Sequence, residues 1–196
     1  ASESSDALYD LLPLVSLQTP RCPDNTIKQA LRIAGQEFCR DTEAWRVTVT
    51  DLTEADEDEY DLGALLTDYD ADPIRLDELK VEDVEENVAN YTFSDAGLLT
   101  FNTAPTVAGY DISAEIVLLP KLSCTDYPDA LISKWGTAKA EKAIAILKAM
   151  TRVPWSDPQG AVQHEMEYRA QAAQAKSEVI FGRRNVNRSF TIPDFV

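Results

Sequence analysis

The sequence contains few basic residues and only one histidine. Its 196 residues include 34 aspartates and glutamates against 18 lysines and arginines, and the formal net charge is −16. The excess is concentrated in residues 51–129, which contain 21 acidic residues and three basic ones. A surface of this charge repels the DNA backbone. The composition therefore argues against a protein that reads DNA sequence.

Long apolar runs are also missing from the sequence. No stretch approaches the roughly 20 apolar residues of a membrane span, and residues 1–10 show no basic region followed by an apolar run. We therefore expect neither a membrane segment nor a secretory signal. The length suits one domain, or one domain with a large insertion.

The three cysteines, Cys22, Cys39 and Cys124, form no C-x-x-C pair. This spacing fits neither a zinc ribbon nor a redox motif. At least one cysteine has no partner for a disulfide, and we interpret all three as free thiols in a reducing compartment. The sequence predicts no metal site and no cofactor.

Motifs for nucleotide binding and nucleophilic catalysis are missing as well. The sequence has neither G-x-x-x-x-G-K-[ST] nor G-x-G-x-x-G, the glycine-rich loops that bind phosphates. No serine or cysteine is placed by the sequence as a nucleophile beside His164, so a packing or surface role suits it better than catalysis.

Asp68, Asp70 and Asp72 have the alternate spacing of calcium ligands. An EF-hand loop beginning at Asp68 requires glycine at its sixth position and glutamate at its twelfth, where this sequence has Pro73 and Leu79. We therefore interpret the three aspartates as exposed surface.

Apolar spacing predicts an α+β fold with three long helices, at residues 24–45, 127–150 and 158–181. In the third helix, Val162 and Met166 widen the apolar stripe that begins at Ala161. We expect these helices to pack as a bundle made from residues 1–46 and 127–182.

Residues 47–126 change to the period of two that is typical of strands. This region predicts an acidic, antiparallel β insertion between the first and second long helices. Within it, residues 95–97 mark a hairpin turn, and the highly charged residues 54–61 predict a loop.

The segment at the junction of the second and third long helices contains two prolines and a tryptophan. Pro154 and Trp155 end the second long helix and Asp157 begins the third, which predicts a structural corner with Trp155 as its plug and Ser156 or Asp157 as the helix cap.

Residues 183–196 predict an extended C-terminal arm. The arm combines three arginines with aromatic residues, and the candidate contacts are Arg183, Arg184, Arg188, Phe190 and Phe195. Two interpretations remain open: the arm packs on its own helices, or it docks on a neighbour through aromatic anchors and arginine–carboxylate pairs.

The segments "ALRIAGQEFCRDTEAWR" and "LKAMTRVPWSDPQGA", together with the acidic insertion and the basic ending, resemble the head-to-tail adaptor proteins of tailed bacteriophages, the connector or gatekeeper type. The resemblance covers roughly residues 12–190. It implies a structural virion protein at the head–tail junction, made in the host cytoplasm, with no enzymatic activity.

The resemblance also implies partners. Such proteins form a homo-oligomeric ring, commonly of twelve copies, beneath the portal protein, and they contact a downstream tail protein. DNA passes non-specifically through the lumen. The arm is expected to grip the portal or an adjacent subunit.

Two alternatives belong to other classes of protein. The first is a calcium-stabilised binding module that uses carboxylates of the insertion. The second is a cell-wall hydrolase that uses two of the same carboxylates for acid–base chemistry.

Overall fold

The computed structural model describes residues 7–182, which form four α-helices and two antiparallel sheets. The helices are α1 (Leu12–Gln18), α2 (Asp24–Thr42), α3 (Asp129–Lys148) and α4 (Pro158–Gly182). The strands are β1 (Arg46–Leu52), β2 (Glu59–Asp61), β3 (Ala71–Val81), β4 (Val84–Glu85), β5 (Tyr91–Phe93), β6 (Leu98–Phe101) and β7 (Asp111–Pro120). No helix within residues 7–182 is long and apolar enough to cross a membrane.

The larger sheet has the strand order β1-β7-β3-β4, and every neighbouring pair in it is antiparallel. Strand β7 lies between β1 and β3. All seven residues of β1 pair with residues 111–117 of β7, and Ile112, Ala114 and Ile116 of β7 are fully buried. The alternation of these side chains is what a sheet with one covered face requires. The pairing register between β7 and β3 shifts after Pro73, a residue that has no backbone N–H to donate to the neighbouring strand.

The smaller sheet has the order β2-β6-β5. The predicted hairpin joins β5 to β6, and Gly97 adopts a φ of 86° at its turn, a conformation that favours glycine. The predicted loop at residues 54–61 is wrong at its end, where β2 pairs with β6. The cause is Tyr60, whose buried ring packs edge-on against the Phe101 ring, with 5.7 Å between the ring centroids. This contact holds the acidic segment in the sheet.

A single hydrophobic core joins the helices to both sheets. Its members include Phe38 of α2, Leu99 of β6, Ile116 of β7, Leu131 of α3 and Tyr168 of α4. The helices and strands therefore bury their apolar faces against one another as well as among themselves.

The predicted three-long-helix bundle is wrong, although the α+β class is confirmed. A fourth helix, α1, was missed; it begins with Pro13 in its first turn, where proline is tolerated, and it buries Val15 completely. The strands also form two separate sheets. The helices do not make a core of their own, since α2 packs on β7 as well as on α3.

Helix α3 is kinked at Trp135, where φ is −123° and ψ is 15°. The fully buried ammonium of Lys139 donates a hydrogen bond of 2.8 Å to the carbonyl oxygen of Leu131, one turn before the kink. The same Nζ atom lies 4.5 Å from the centroid of the Phe38 ring, within the range of a cation–π contact.

All three cysteines are free and buried. Burial raises the pKa of the Cys39 thiol to about 12 and that of Cys124 to about 11. A thiol in this environment stays protonated at neutral pH and behaves as a small apolar side chain.

Candidate functional site

The candidate site is the surface formed by α3 and α4, which run antiparallel to each other. Ion pairs connect the two helices along their whole length, at Lys134–Glu178, Lys142–Glu165 and Lys148–Asp157. These pairs set the register of the two helices.

The turn between α3 and α4 holds the residues that predict a corner. Asp157 accepts a hydrogen bond of 3.0 Å from the backbone N–H of Gly160, the geometry of a helix N-cap. That hydrogen bond and the nearby Lys148 ammonium lower the pKa of Asp157. Trp155 packs against the core, and Pro154 is exposed.

Helix α4 is also anchored to α2 by partly buried polar contacts. The Tyr168 hydroxyl donates a hydrogen bond of 2.6 Å to Asp41, and Lys142 Nζ lies 2.9 Å from carboxylate oxygens of both Glu37 and Glu165. Burial lowers the pKa of Lys142, but its hydrogen bonds to Glu165 and Glu37 outweigh burial, and the pKa is raised. The ammonium therefore stays charged and joins all three long helices.

His164 lies in the same helix interface, and its hydrogen-bond partners among residues 7–182 are not nucleophiles of a catalytic pair. Its Nδ1 atom is 2.5 Å from a carboxylate oxygen of Glu141, and its Nε2 atom is 3.3 Å from Lys148 Nζ. Both partners belong to α3, so the imidazole contributes to helix packing.

An open groove of about 620 Å³ lies between the C-terminal part of α3 and the N-terminal part of α4. Its apolar lining includes Ile146 of α3, Ala149 directly after α3, and Ala161, Val162 and Met166 of α4. Val162 is 62% exposed and Met166 is 66% exposed. The assignment of these two side chains to the core stripe is therefore corrected, because no described element covers that side of α4.

The charged residues beside Val162 and Met166 were a signal in the sequence that this side of α4 is not part of the core. Helical spacing places an apolar residue on a face of its own helix, but it does not show whether anything packs there. Glu165 and Arg169 follow on the same side of α4 and bond to each other at 2.9 Å, which marks that side as the edge of the core.

The three aspartates with the spacing of calcium ligands are exposed, and two of them bond to a serine or lie near a lysine. Asp68 is exposed, Asp70 accepts a hydrogen bond of 2.8 Å from Ser123, and Asp72 lies 3.6 Å from Lys121. Among residues 7–182, no group of three or more acidic, histidine or cysteine side chains is arranged to hold a metal ion.

The predicted partner-binding residues lie outside the described part of the chain. They are Arg183, Arg184, Arg188, Phe190 and Phe195, which follow the last residue of α4. Their roles remain predictions.

Comparison with known proteins assigns no family. The chain matches no protein-family model, and it has no significant match among curated proteins.

Proposed function

We propose that this protein is a structural virion protein, a head-to-tail adaptor of a tailed bacteriophage. Identical copies assemble into a ring beneath the portal protein, a downstream tail protein binds the other side, and DNA passes through the lumen. The protein performs no catalysis in this role.

The observation that carries the proposal is the exposed apolar surface of α4. Val162, Met166, Ile180 and Phe181 are 62%, 66%, 45% and 58% exposed. Val162 and Ile180 are 18 residues apart, about five helical turns, so they share one face of the helix. Between them, the exposed Arg169, Ala173 and Lys176 lie on the same face, so the face has an apolar patch at each end. Exposed apolar patches of this kind mark a surface that a partner covers. Side-by-side contact between copies would cover it.

The segments that carry the resemblance support the same reading. One, residues 30–46, forms most of α2 and the start of β1, and the other, residues 147–161, forms the turn between α3 and α4. Both belong to the helical layer that holds α4 and presents its outer face. A ring wall requires a rigid layer of this kind, and the contacts of Lys142 and Tyr168 supply rigidity.

The charge distribution supports passage of DNA without binding. The acidic residues 51–129 form most of the two sheets, and many of their carboxylates are exposed. If the sheets line the lumen, the carboxylates repel the phosphate backbone and keep DNA from adhering.

Binding to the portal tests this function directly. The full chain is mixed with the portal protein encoded in the same phage genome, and the mixture is analysed by mass measurement and by electron microscopy. We expect a ring of many copies on the portal. Deletion of residues 183–196 should abolish binding, while deletion of residues 1–6, the control at the other terminus, should leave it intact. A full chain that stays monomeric and never binds the portal overturns the proposal.

A further inference from the structure

We propose that the groove between α3 and α4 binds residues 183–196 of a second copy of this chain. The groove is the surface defined by Ile146, Ala149, Ala161, Val162 and Met166. This inference rests on the proposed function in one respect, that copies of the chain lie side by side.

The groove has the properties of a site for an apolar anchor. Its volume of about 620 Å³ is within the range of ligand-binding clefts, and its apolar lining matches their usual composition. Met166 and Val162 leave most of their surface in water, so covering them removes apolar area from solvent. Methionine adapts its shape to different partners, as a surface that receives an aromatic ring requires.

The C-terminal segment has the complementary chemistry. Its 14 residues include Phe190, Ile192 and Phe195, and aromatic side chains are the usual anchors of protein interfaces. Three arginines and one aspartate make the segment basic, whereas the chain as a whole has a net charge of −16. The segment is therefore attracted to the body of another copy, and its apolar side chains find there an uncovered apolar groove.

The length of chain that precedes Phe190 favours a second copy over the same chain. Met166 precedes Gly182 by 16 residues, which is about 24 Å along α4. Phe190 follows Gly182 by eight residues, which span at most about 28 Å when fully extended. The chain would first have to reverse its direction, and a turn uses about four residues. Phe190 therefore falls short of its own groove, whereas Phe195, with nine residues left after the turn, spans about 31 Å and reaches it. The limit set by length thus applies to Phe190, and the Phe190 of a neighbour has no such limit.

Photo-crosslinking between isotopically distinct copies tests this inference. p-Benzoylphenylalanine replaces Phe190 in the full chain, and equal amounts of ¹⁴N- and ¹⁵N-labelled protein are mixed over a concentration series and irradiated. Mass spectrometry identifies the linked peptides. We expect links between residue 190 and the peptide that contains Met166, and about half of them should join a light copy to a heavy one.

A variant of the groove and a matched control accompany the experiment. Val162→Glu places a charge in the groove and should reduce the yield of these links by about tenfold or more. Val88→Glu makes the same change at a side chain that is 74% exposed and lies far along the chain in the β region, and it should leave the yield unchanged. Both variants are at exposed positions, and circular dichroism verifies that each remains folded.

Each result decides for or against the inference. If every link joins two peptides of the same mass, the segment binds its own groove. If the links fall on other peptides, or if none form, the segment does not bind the groove. Either result overturns the inference. If links fall elsewhere while rings still assemble on the portal, the proposed function stands without this contact. If the chain neither associates with itself nor binds the portal, the proposed function fails as well.

Discussion

The ammonium of Lys139 and the carbonyl oxygen of Leu131 are joined by a hydrogen bond of 2.8 Å in the interior of the protein. The two residues lie eight positions apart on α3, on either side of the kink at Trp135. Burial lowers the pKa of Lys139 to about 8. A buried lysine whose nearest partners are a carbonyl oxygen and aromatic rings destabilises the fold when it is charged and favours deprotonation.

Lys139→Met should therefore change how stability depends on pH. The folded-state pKa of Lys139, about 8, lies below its ordinary value of 10.5, so between these values the unfolded chain binds more protons and stability rises with pH. The unfolding free energy of the wild type, relative to Lys139→Met, should rise across this window by at most about 1.4 kcal/mol per pH unit. Urea denaturation at several pH values measures the difference. Lys176→Met, at an exposed lysine of α4, should show no such trend, and parallel curves for Lys139→Met would contradict the prediction.

Tyr168→Phe should destabilise the contact between α4 and α2. The substitution removes the hydrogen bond to Asp41 and leaves the buried ring in place. We expect the free energy of unfolding to fall by about 1.5 kcal/mol, the low end for a hydrogen bond to a charged group, because Asp41 is exposed. Urea denaturation measures the loss, and Tyr110→Phe, at a side chain that is 42% exposed, is the control. Equal stability of the two variants would show that the hydrogen bond contributes nothing.

Gly35→Ala should be destabilising, although alanine normally stabilises a helix by about 1 kcal/mol relative to glycine. A Cβ atom at position 35 would lie 2.4 Å from the hydroxyl oxygen of Tyr127 and 2.9 Å from its ring carbon Cζ. The Tyr127 hydroxyl is buried and has no hydrogen-bond partner among the described residues. Tyr127→Phe should therefore be tolerated alone and should partly rescue Gly35→Ala. A thermal melt of the four proteins checks both statements, and a stabilised Gly35→Ala variant would contradict the first.

Calcium should not stabilise the protein. A ligand that binds only the folded state raises the melting temperature, and the described residues contain no group of side chains arranged to hold a metal. The melting temperature in calcium chloride should match that in sodium chloride of equal ionic strength, and EDTA should not change it. A rise of many degrees in calcium would favour the metal-stabilised binding module instead.

The long helices were largely predictable because each has a strong apolar period. Helices α3 and α4 fall within two residues of their predicted bounds at each end, and α2 ends three residues early because Glu43 adopts a left-handed conformation. The N-cap of α4 at Asp157 could also be anticipated from its side chain and the proline that follows it.

The remaining features depend on contacts between distant parts of the chain. Strand β1 pairs with β7 rather than with a neighbour in sequence, and local spacing carries no information on such pairing. Helix α1 is apolar on several sides, so its short sequence shows no clear period. Val162 and Met166 have the spacing of core residues, and only the arrangement of α3 against α4 reveals that they are exposed.

The burial of Cys39 and Cys124 turns them into reporters of opening motions. The two side chains are 0% and 1% exposed, so a thiol reagent reaches them only in molecules whose core has separated. The rate at which such a reagent modifies the native protein would thus measure how often the helices part from the sheets. The same shielding lets the protein be handled in air without cross-links between copies through these two sulfur atoms.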